Sequence, residues 1–214
     1  MKDGEIASMR QDYRSGELLE SRSASEPWEL FSSWFEIARN TKILEPNAMI
    51  LSTVTQDGQP TSRVVLLKDF DPSGFVFFTN YLSQKGEQLA HNPRASILFW
   101  WEPLERQIRI EGEVVKIDEE ESDTYFKSRP YGSRLGAWVS EQSQKIVDRT
   151  VLEKRQIEFE KKFAEGNVPR PDHWGGYRLT PNKFEFWQGR SNRLHDRLLY
   201  QMQQKAWTRT RLAP

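Results

Sequence analysis

Cationic and aromatic side chains are concentrated in FWQGRSNRLHDR, residues 186–197. This stretch holds three arginines, a histidine, an aspartate and a tryptophan in 12 positions. In an extended strand side chains alternate between two faces, so Arg193, His195 and Arg197 would share one face. Such a face is typical either of a solvated edge strand or of a site for an anionic ligand. Trp187 and the turn residues beside it favour the ligand site.

Two further groups of polar residues could recognise phosphate. Arg63 and Lys68 in SRVVLLKD are five positions apart, so a regular strand would place them on opposite faces, with one of them towards a ligand. Tyr125, Arg129 and Ser133 in YFKSRPYGS follow at intervals of four, close to a helix boundary. An arginine fork reaches two phosphate oxygens at once, and each charge-assisted hydrogen bond contributes roughly 1.5–3 kcal/mol. The alternative for the second group is an ordinary solvated helix face.

The composition argues against several classes of function. Lys plus Arg and Asp plus Glu each total 31, so no overall charge favours nucleic acid or an anionic membrane surface. The absence of cysteine removes thiolate nucleophiles and iron–sulfur clusters, so redox chemistry would require a bound cofactor. The three histidines lack metal-ligand spacing, and no Walker, G-x-G-x-x-G or G-x-S-x-G pattern occurs. We therefore expect no metal site, Rossmann cofactor site or serine-hydrolase site.

The longest apolar runs are far shorter than a membrane span, and the N-terminal residues lack the apolar stretch of a signal peptide. These features favour a soluble cytoplasmic protein. Residues 1–24 are polar with weak periodicity, so we expect a mobile arm or lid there. No composition change marks a further boundary, which favours a single domain over residues 25–214.

Apolar periodicity predicts the elements of that domain. The segment SEPWELFSSWFEIARN predicts a helix with Ser25 as its N-cap and an apolar face of Trp28, Phe31, Trp34, Phe35 and Ala38. Strand-like runs follow at AMILSTVT, TSRVVLLKDF, FVFFTN, RASILFWWE and RQIRIEGEVVKI, with Gly112 as a bulge or a point of close approach. Helices are predicted at SQKGEQLAHN, from Asp118 to an interruption at Pro130, and from Ser143 to Phe163, before strand character returns at WGGYRLTPNKFEFWQ and RLHDRLLYQ. The pattern indicates an antiparallel meander that curves into a barrel.

Short motifs run in order from about Arg10 to Pro214: EPNAMILSTV, GQPTSRVVLLKDFD, FFTNYLSQKG, ERQIRIEGEV, YFKSRPYGSRLGAWVSEQS, WGGYRLTP, FEFWQG, RLHDR and RLAP. Together they resemble the pyridoxine (pyridoxamine) 5'-phosphate oxidase family. The resemblance implies a mainly β, antiparallel FMN-binding split β-barrel with flanking helices, and a homodimer with FMN at the interface. It also implies FMN-dependent oxidation of pyridoxamine and pyridoxine 5'-phosphate to pyridoxal 5'-phosphate in vitamin B6 metabolism, with O2 as acceptor and H2O2 released.

The resemblance also implies roles for individual residues. The implied FMN contacts are Arg63, Val64, Val65, Leu66, Leu67, Lys68, Phe78, Thr79, Gln84, Lys85, Gln107, Gln142, Ser143, Trp187 and Arg197. The implied substrate contacts are Arg10, Tyr13, Lys68, Tyr125, Arg129, Ser133, Arg193 and His195. Of these, Arg193 and His195 are the implied catalytic residues, which would hold the substrate ring while a hydride passes to the flavin. Gln84 stands where the family usually has arginine, so we expect weaker retention of FMN.

Two other functions remain open from the sequence. The chain could be a different FMN-dependent split-barrel oxidoreductase, because one fold supports several activities. It could also be a non-catalytic protein that binds FMN or pyridoxal phosphate. The motifs YFKSRPYGS and RLHDR favour the oxidase over the first alternative, and release of peroxide would separate it from the second.

Overall fold

The computed structural model of the protein describes residues 5–9, 11–164 and 166–214. Arg10, one of the implied substrate contacts, lies outside the described residues. The helices are α1 (Glu5–Ser8), α2 (Pro27–Arg39), α3 (Gln84–His91), α4 (Glu119–Ser128), α5 (Tyr131–Val139) and α6 (Thr150–Lys162). The strands are β1 (Ala48–Val54), β2 (Pro60–Leu66), β3 (Asp69–Asp71), β4 (Gly74–Asn80), β5 (Arg94–Trp101), β6 (Arg106–Lys116), β7 (Trp174–Gln188), β8 (Asp196–Gln203) and β9 (Ala206–Leu212).

The strands pair in the order β2-β1-β5-β6-β7-β4-β3, and β8 joins through β7 and carries β9. The pairs β3–β4, β4–β7, β7–β8 and β8–β9 are antiparallel. The described chain forms two compact units, of which the first comprises residues 1–49, 97–111 and 182–214, and the second residues 50–96 and 112–181. Strands β1, β5, β6 and β7 contribute residues to both units. Within the described ranges, no helix is both long and apolar enough to cross a membrane.

Helix α2 begins at Pro27 in the first unit. Proline suits the first helical position because its φ is already helical and no N–H donor is needed there. The prediction of Ser25 as N-cap is therefore wrong by one residue, since Glu26 occupies that position and forms no side-chain cap. The predicted apolar face is buried or half-buried along its length, at Trp28, Phe31, Trp34, Phe35 and Ala38.

Aromatic contacts attach α2 to the strands of the first unit. The ring of Phe31 lies 5.4 Å from that of Phe99 in β5, and the ring of Trp34 lies 5.4 Å from that of Phe186 in β7, both edge-on. Burial of each such side chain contributes roughly 1.5–3 kcal/mol. This packing fixes the part of β7 at which the cationic segment 186–197 begins.

The start of β8 differs from the prediction. The alternation argument required an extended chain at Arg193, but residues 191–193 form a short 3-10 turn and β8 begins at Asp196. Asn192 and Arg193 have φ of 56° and 61°, in the left-handed region. The turn prevails because Gly, Ser and Asn favour turns and Asn tolerates left-handed φ. Strand β9, which pairs with β8, was not predicted.

The second unit contains a break where one strand was predicted over TSRVVLLKDF. Strand β2 ends at Leu66, and β3 begins at Asp69 at the opposite end of the strand order. Lys68 between them donates its backbone N–H to the carbonyl of Val76 in β4, at 2.9 Å. The predicted meander is thus interrupted, and the face alternation that separated Arg63 from Lys68 does not apply.

Three further predictions concern the second unit. A Cβ at Gly112 would overlap the carbonyl oxygen of Thr180, so the predicted close approach is confirmed. The predicted interruption near Pro130 is also confirmed, since α4 ends at Ser128 and α5 begins at Tyr131. Helix α6 is shorter than predicted, because residues 143–149 precede it without helical structure.

Candidate functional site

The second unit contains a cavity of about 550 Å³ that brings two of the predicted polar groups together. We call it the cationic cavity. Its lining residues are Arg63, Val64, Val65, Leu66, Lys68, Phe78, Thr79, Asn80, Lys85, Tyr125, Arg129, Pro130, Ser133, Gln142 and Trp174. Lys68 lies in the same cavity as Arg63, so the prediction that the two residues face opposite ways is wrong.

Lys85 lies in the first turn of α3, whose N-cap is Ser83. Its side chain is 9% exposed, and its ammonium group donates to Thr79 Oγ1 at 3.1 Å, to Ser83 Oγ at 3.1 Å and to Gln142 Oε1. Burial, with a smaller effect of the Arg63 charge, lowers the pKa of Lys85 to about 8. All three acceptors are neutral.

Arg63 in β2 is held by backbone carbonyl and hydroxyl groups of β1 and of β2 itself. Its guanidinium donates to Thr53 Oγ1 at 2.5 Å and to Thr61 Oγ1 at 2.7 Å, and burial lowers its pKa. Within the described part of the chain, neither Arg63 nor Lys85 forms an ion pair with a carboxylate. A buried ammonium group beside a half-buried guanidinium, without a counter-charge, is unfavourable, and an anion such as phosphate would compensate both.

Stacked aromatic rings lie beside Lys68 and Arg129, which form the second cationic group of this cavity. Phe78 stacks on Tyr125 at 3.9 Å between ring centroids and on Trp174 at 5.5 Å. The guanidinium of Arg129 lies over Trp174, with its Cζ atom 4.5 Å from the ring centroid. The Nη1 atom of Arg129 is buried without a hydrogen-bond partner among the described residues. Burial lowers the pKa of the Arg129 guanidinium. Lys68 Nζ lies 5.9 Å from the Tyr125 centroid.

Several implied FMN contacts differ in how they could reach a ligand. Val64 is exposed, whereas the side chain of Leu67 is buried in the core and leaves only its backbone for a ligand. Gln84 is exposed and donates its backbone N–H to Ser143 Oγ at 3.2 Å. Ser143 has φ of 74°. Leu67, Gln84 and Ser143 are not lining residues of the cationic cavity.

The first unit contains a separate cavity of about 400 Å³, the arginine–histidine pocket. Its lining residues are Met9, Gln11, Asp12, Tyr13, Arg190, Asn192, Arg193 and His195. The Tyr13 ring lies 5.7 Å from the Trp187 ring and 5.8 Å from the His195 ring, and the last two rings are 4.6 Å apart. The structure therefore brings four implied residues together in this unit.

The His195 ring is oriented by the turn before it. The backbone N–H of Arg190 donates to His195 Nδ1 at 3.1 Å. An acceptor Nδ1 places the proton of the neutral ring on Nε2, which is then a donor. Burial and the nearby charge of Arg193 lower the pKa of His195, which favours this neutral form.

Arg197 lies at the start of β8, opposite Trp187 of β7. Its guanidinium donates to Glu185 Oε1 at 2.8 Å and to the carbonyl of Ala213 at 2.8 Å. Glu185 is buried and also accepts from Arg109 at 2.7 Å. Gln107, the remaining implied contact, is half-buried in β6 of this unit.

Sequence reasoning missed two residues of these surroundings. Trp174 lines the cationic cavity, and its position at the head of the motif WGGYRLTP was the available signal. Glu185 fixes Arg197, and the signal was a single acidic residue within the apolar strand sequence FEFW. A lone carboxylate in such a strand is typically paired when buried.

Two family models match the chain. Residues 36–162 match the model described as pyridoxamine 5'-phosphate oxidase. Residues 174–214 match the model described as pyridoxine 5'-phosphate oxidase C-terminal dimerisation region. The chain belongs to the pyridoxamine 5'-phosphate oxidase family. The sequence resemblance is thereby confirmed, as is the prediction of an enzyme of the oxidoreductase class.

Relatives in the pyridoxamine 5'-phosphate oxidase family match over nearly their whole length. A pyridoxine/pyridoxamine 5'-phosphate oxidase of Microcystis aeruginosa is 56% identical over 213 residues, covering 99% of this chain and 100% of the relative. The protein of the same name from Bordetella pertussis is 56% identical over 210 residues, covering 98% and 99%.

Solved structures show the same fold. PhzG from Burkholderia lata 383, in complex with tetrahydrophenazine-1-carboxylic acid, is 35% identical with a TM-score of 0.87, covering 94% of this chain and 100% of that one. An FMN-binding protein from Nostoc punctiforme, related to pyridoxamine 5'-phosphate oxidase, has a TM-score of 0.69 at 17% identity, covering 90% and 100%. The predicted mainly β split barrel with flanking helices is confirmed.

Proposed function

We propose that this family member is an FMN-dependent oxidase that converts pyridoxamine and pyridoxine 5'-phosphate to pyridoxal 5'-phosphate, with O2 as acceptor and H2O2 as by-product. The observation that carries the proposal is the cationic pair of buried Lys85 and half-buried Arg63, which lacks a carboxylate partner within the described residues. The cavity that holds this pair also holds the second cationic group, Lys68 and Arg129. Two cationic groups suit two phosphate esters, one on each ligand.

The FMN phosphate would bind at Arg63 and Lys85. The donor set fits a phosphate, because a guanidinium fork and an ammonium group offer several charge-assisted hydrogen bonds. Thr79 and Gln142, which already contact Lys85, would complete this end of the site. When bound, FMN would accept a hydride from the substrate and pass the electrons to O2.

The substrate phosphate would bind at Lys68, Tyr125, Arg129 and Ser133. The unpartnered Nη1 of Arg129 supports this placement, since a buried donor without an acceptor favours any ligand that supplies one. Stacking on Trp174 holds the guanidinium in position before the ligand arrives. Remote binding energy of this kind positions the reacting end of a substrate.

Arg193 and His195 would contact the substrate ring, with His195 donating through Nε2. Trp187 and Arg197 would contact FMN. All four residues lie in the range 174–214 that matches the dimerisation region, which supports a homodimer with its sites at the subunit interface. We also propose that residues 1–24 act as a lid over the single domain 25–214, with Arg10 and Tyr13 closing on the substrate.

The decisive experiment uses the purified protein with bound flavin. Under anaerobic conditions, pyridoxamine 5'-phosphate should bleach the flavin absorbance, and admission of O2 should restore it with release of one H2O2 per product. Persistent yellow colour with substrate present would contradict the proposed oxidation. Bound FMN without peroxide would instead support the non-catalytic binder.

Arg129→Ala tests the substrate phosphate site. We expect KM for pyridoxamine 5'-phosphate to rise by about tenfold or more with a smaller change in kcat, because the residue contacts a part of the substrate remote from the reaction. Lys127→Ala, at an exposed position in the last turn of α4, is the control. An unchanged KM for the Arg129 variant would remove this residue from phosphate recognition.

A second candidate is oxidation of a different aromatic substrate, favoured by the 35% identity to PhzG, whose structure holds a phenazine carboxylic acid. Pyridoxamine without its phosphate distinguishes the two. The proposed function predicts a large loss of kcat/KM without the phosphate, whereas an oxidase of non-phosphorylated aromatic acids would be insensitive to it.

A further inference from the structure

Asp196 lies between His195 and Arg197 in the chain but lines neither cavity, and its carboxylate contacts three other segments. One oxygen accepts from the backbone N–H of Leu18 at 3.0 Å and from Arg190 Nη1 at 3.2 Å. The other accepts from Arg211 Nη1 at 2.8 Å. The side chain is 15% exposed. One carboxylate therefore joins the N-terminal segment, the turn before β8 and strand β9.

The turn that Asp196 closes has an unfavourable backbone conformation. Asn192 and Arg193 are consecutive residues with left-handed φ, which residues other than glycine rarely adopt and which persists only when the surroundings enforce it. Arg190 holds this conformation through two hydrogen bonds. Its backbone N–H binds His195 Nδ1, and its guanidinium binds Asp196.

The same carboxylate also holds the segment that covers the arginine–histidine pocket. Leu18 is buried, and the hydrogen bond from its backbone N–H to Asp196 fixes the chain five residues after Tyr13. Tyr13 packs against His195, and the Ser15 amide donates to Glu105 at 2.8 Å. Loss of the Asp196 contact would therefore weaken both the turn and the docked segment.

We propose that Asp196 is a positioning residue that holds the strained turn presenting Arg193 and His195 and docks the N-terminal segment against it. The inference rests on the proposed function, in which these two residues contact the substrate ring. Asp196 itself touches neither ligand in this proposal. It acts through Arg190 and Leu18.

The test compares the flavin-loaded wild-type protein with Asp196→Asn. We expect kcat/KM for pyridoxamine 5'-phosphate to fall by about tenfold, because a charge-assisted contact is lost. Tryptic cleavage of the Arg14–Ser15 bond, followed by mass spectrometry, should become about tenfold faster, since cleavage follows the population of the undocked segment. The FMN dissociation constant should stay within about twofold of the wild-type value, because the lost contact is not to FMN.

Asp148→Asn is the matched control. Asp148 is exposed and accepts from Thr150 at the start of α6 in the second unit, so its loss should change none of the three quantities. Unchanged kinetics and unchanged cleavage in Asp196→Asn would overturn the proposal. So would a loss of FMN affinity as large as the loss of kcat/KM, because that result indicates general destabilisation.

Arg190→Met provides a second variant if Asp196→Asn does not fold. It removes one donor to Asp196 and leaves the backbone N–H of residue 190 on His195, so a change of about threefold in the same direction is expected. Wild-type values in this variant would contradict the proposal. The cleavage assay needs no turnover, so it tests the Asp196 contact even if the protein does not oxidise pyridoxamine 5'-phosphate.

Discussion

At the scale of single residues, Lys85 connects the stability of the protein with ligand binding. Its pKa in the folded chain is about 8, against the ordinary value of 10.5. Between these pH values the unfolded chain binds more protons at this position than the folded protein does. Burying the charge therefore opposes folding below pH 8, and this cost is relieved as the pH rises towards 10.5. A bound phosphate would reverse the balance by favouring the charged ammonium group.

FMN affinity should accordingly depend on the protonation of Lys85. We expect the FMN dissociation constant to rise as the pH increases through about 8, where Lys85 of the free protein loses its proton. Lys85→Met should bind FMN more weakly at pH 7 and lose most of this dependence. Fluorescence titration of FMN at several pH values measures both effects, with exposed Lys154→Met as control. A wild-type affinity that is constant between pH 7 and pH 10 would contradict the assignment.

A substitution at Gln84 tests whether glutamine, in place of the arginine usual in the family, weakens FMN binding. It is exposed at the first position of α3, beside the buried Lys85. Gln84→Arg should tighten FMN binding by roughly threefold to tenfold, because it adds a cation close to the proposed phosphate. The effect should weaken as salt concentration increases. Gln156→Arg on α6 controls for net charge, and equal affinities for wild type and Gln84→Arg would show that position 84 does not reach the phosphate.

At the scale of elements, the strand break after β2 decides which residues share a cavity. A regular strand through Lys68 would have placed it opposite Arg63. Instead, the chain leaves β2 at Leu66, and a hydrogen bond from the backbone N–H of Lys68 to the carbonyl of Val76 holds the connection against β4. Local β propensity predicted the strands but could not predict this break, because the hydrogen bond that fixes it joins the connection after β2 to a residue of β4.

Gly112 is required by the close approach of two strands. An alanine Cβ there would overlap the Thr180 carbonyl, which is backbone and cannot rotate away. Gly112→Ala should lower the free energy of unfolding by about 1–3 kcal/mol, measured by urea denaturation of the FMN-free protein.

Gly136 offers the opposite control within α5. A Cβ at that position meets nothing within 4 Å among the described residues, so Gly136→Ala should stabilise the protein by about 0.5–1 kcal/mol. A Gly112→Ala variant as stable as the wild type would mean that the two strands separate without cost.

At the scale of the whole molecule, the two cavities hold complementary halves of the proposed site. The second unit carries the residues proposed to bind phosphate, and the first unit carries the residues proposed to contact the substrate ring. The family match assigns dimerisation to residues 174–214, which include Arg193, His195 and Arg197. A homodimer could therefore combine residues of two chains in each site.

Mixed dimers test this arrangement. Lys85→Met and Arg193→Leu should each be nearly inactive alone, because each lacks one half of the site. If each site uses both chains, random exchange of subunits between the two variants should restore about a quarter of all sites. Activity after unfolding and refolding of the mixture, compared with each variant refolded alone, measures the recovery. No recovery would show that one chain supplies both residues.

The sequence by itself determined the apolar face of α2, most strand positions, the helix interruption near Pro130 and the close approach at Gly112. These features depend on local periodicity or on residues with a restricted backbone. Its motifs also determined the family. Only the tertiary structure decided the left-handed turn at Arg193, the shared cavity of Arg63 and Lys68, and the contacts of Glu185 and Asp196. Those features depend on specific hydrogen bonds and ion pairs, some within the turn and others between segments far apart in the chain, and such pairings leave no periodic signal in the sequence.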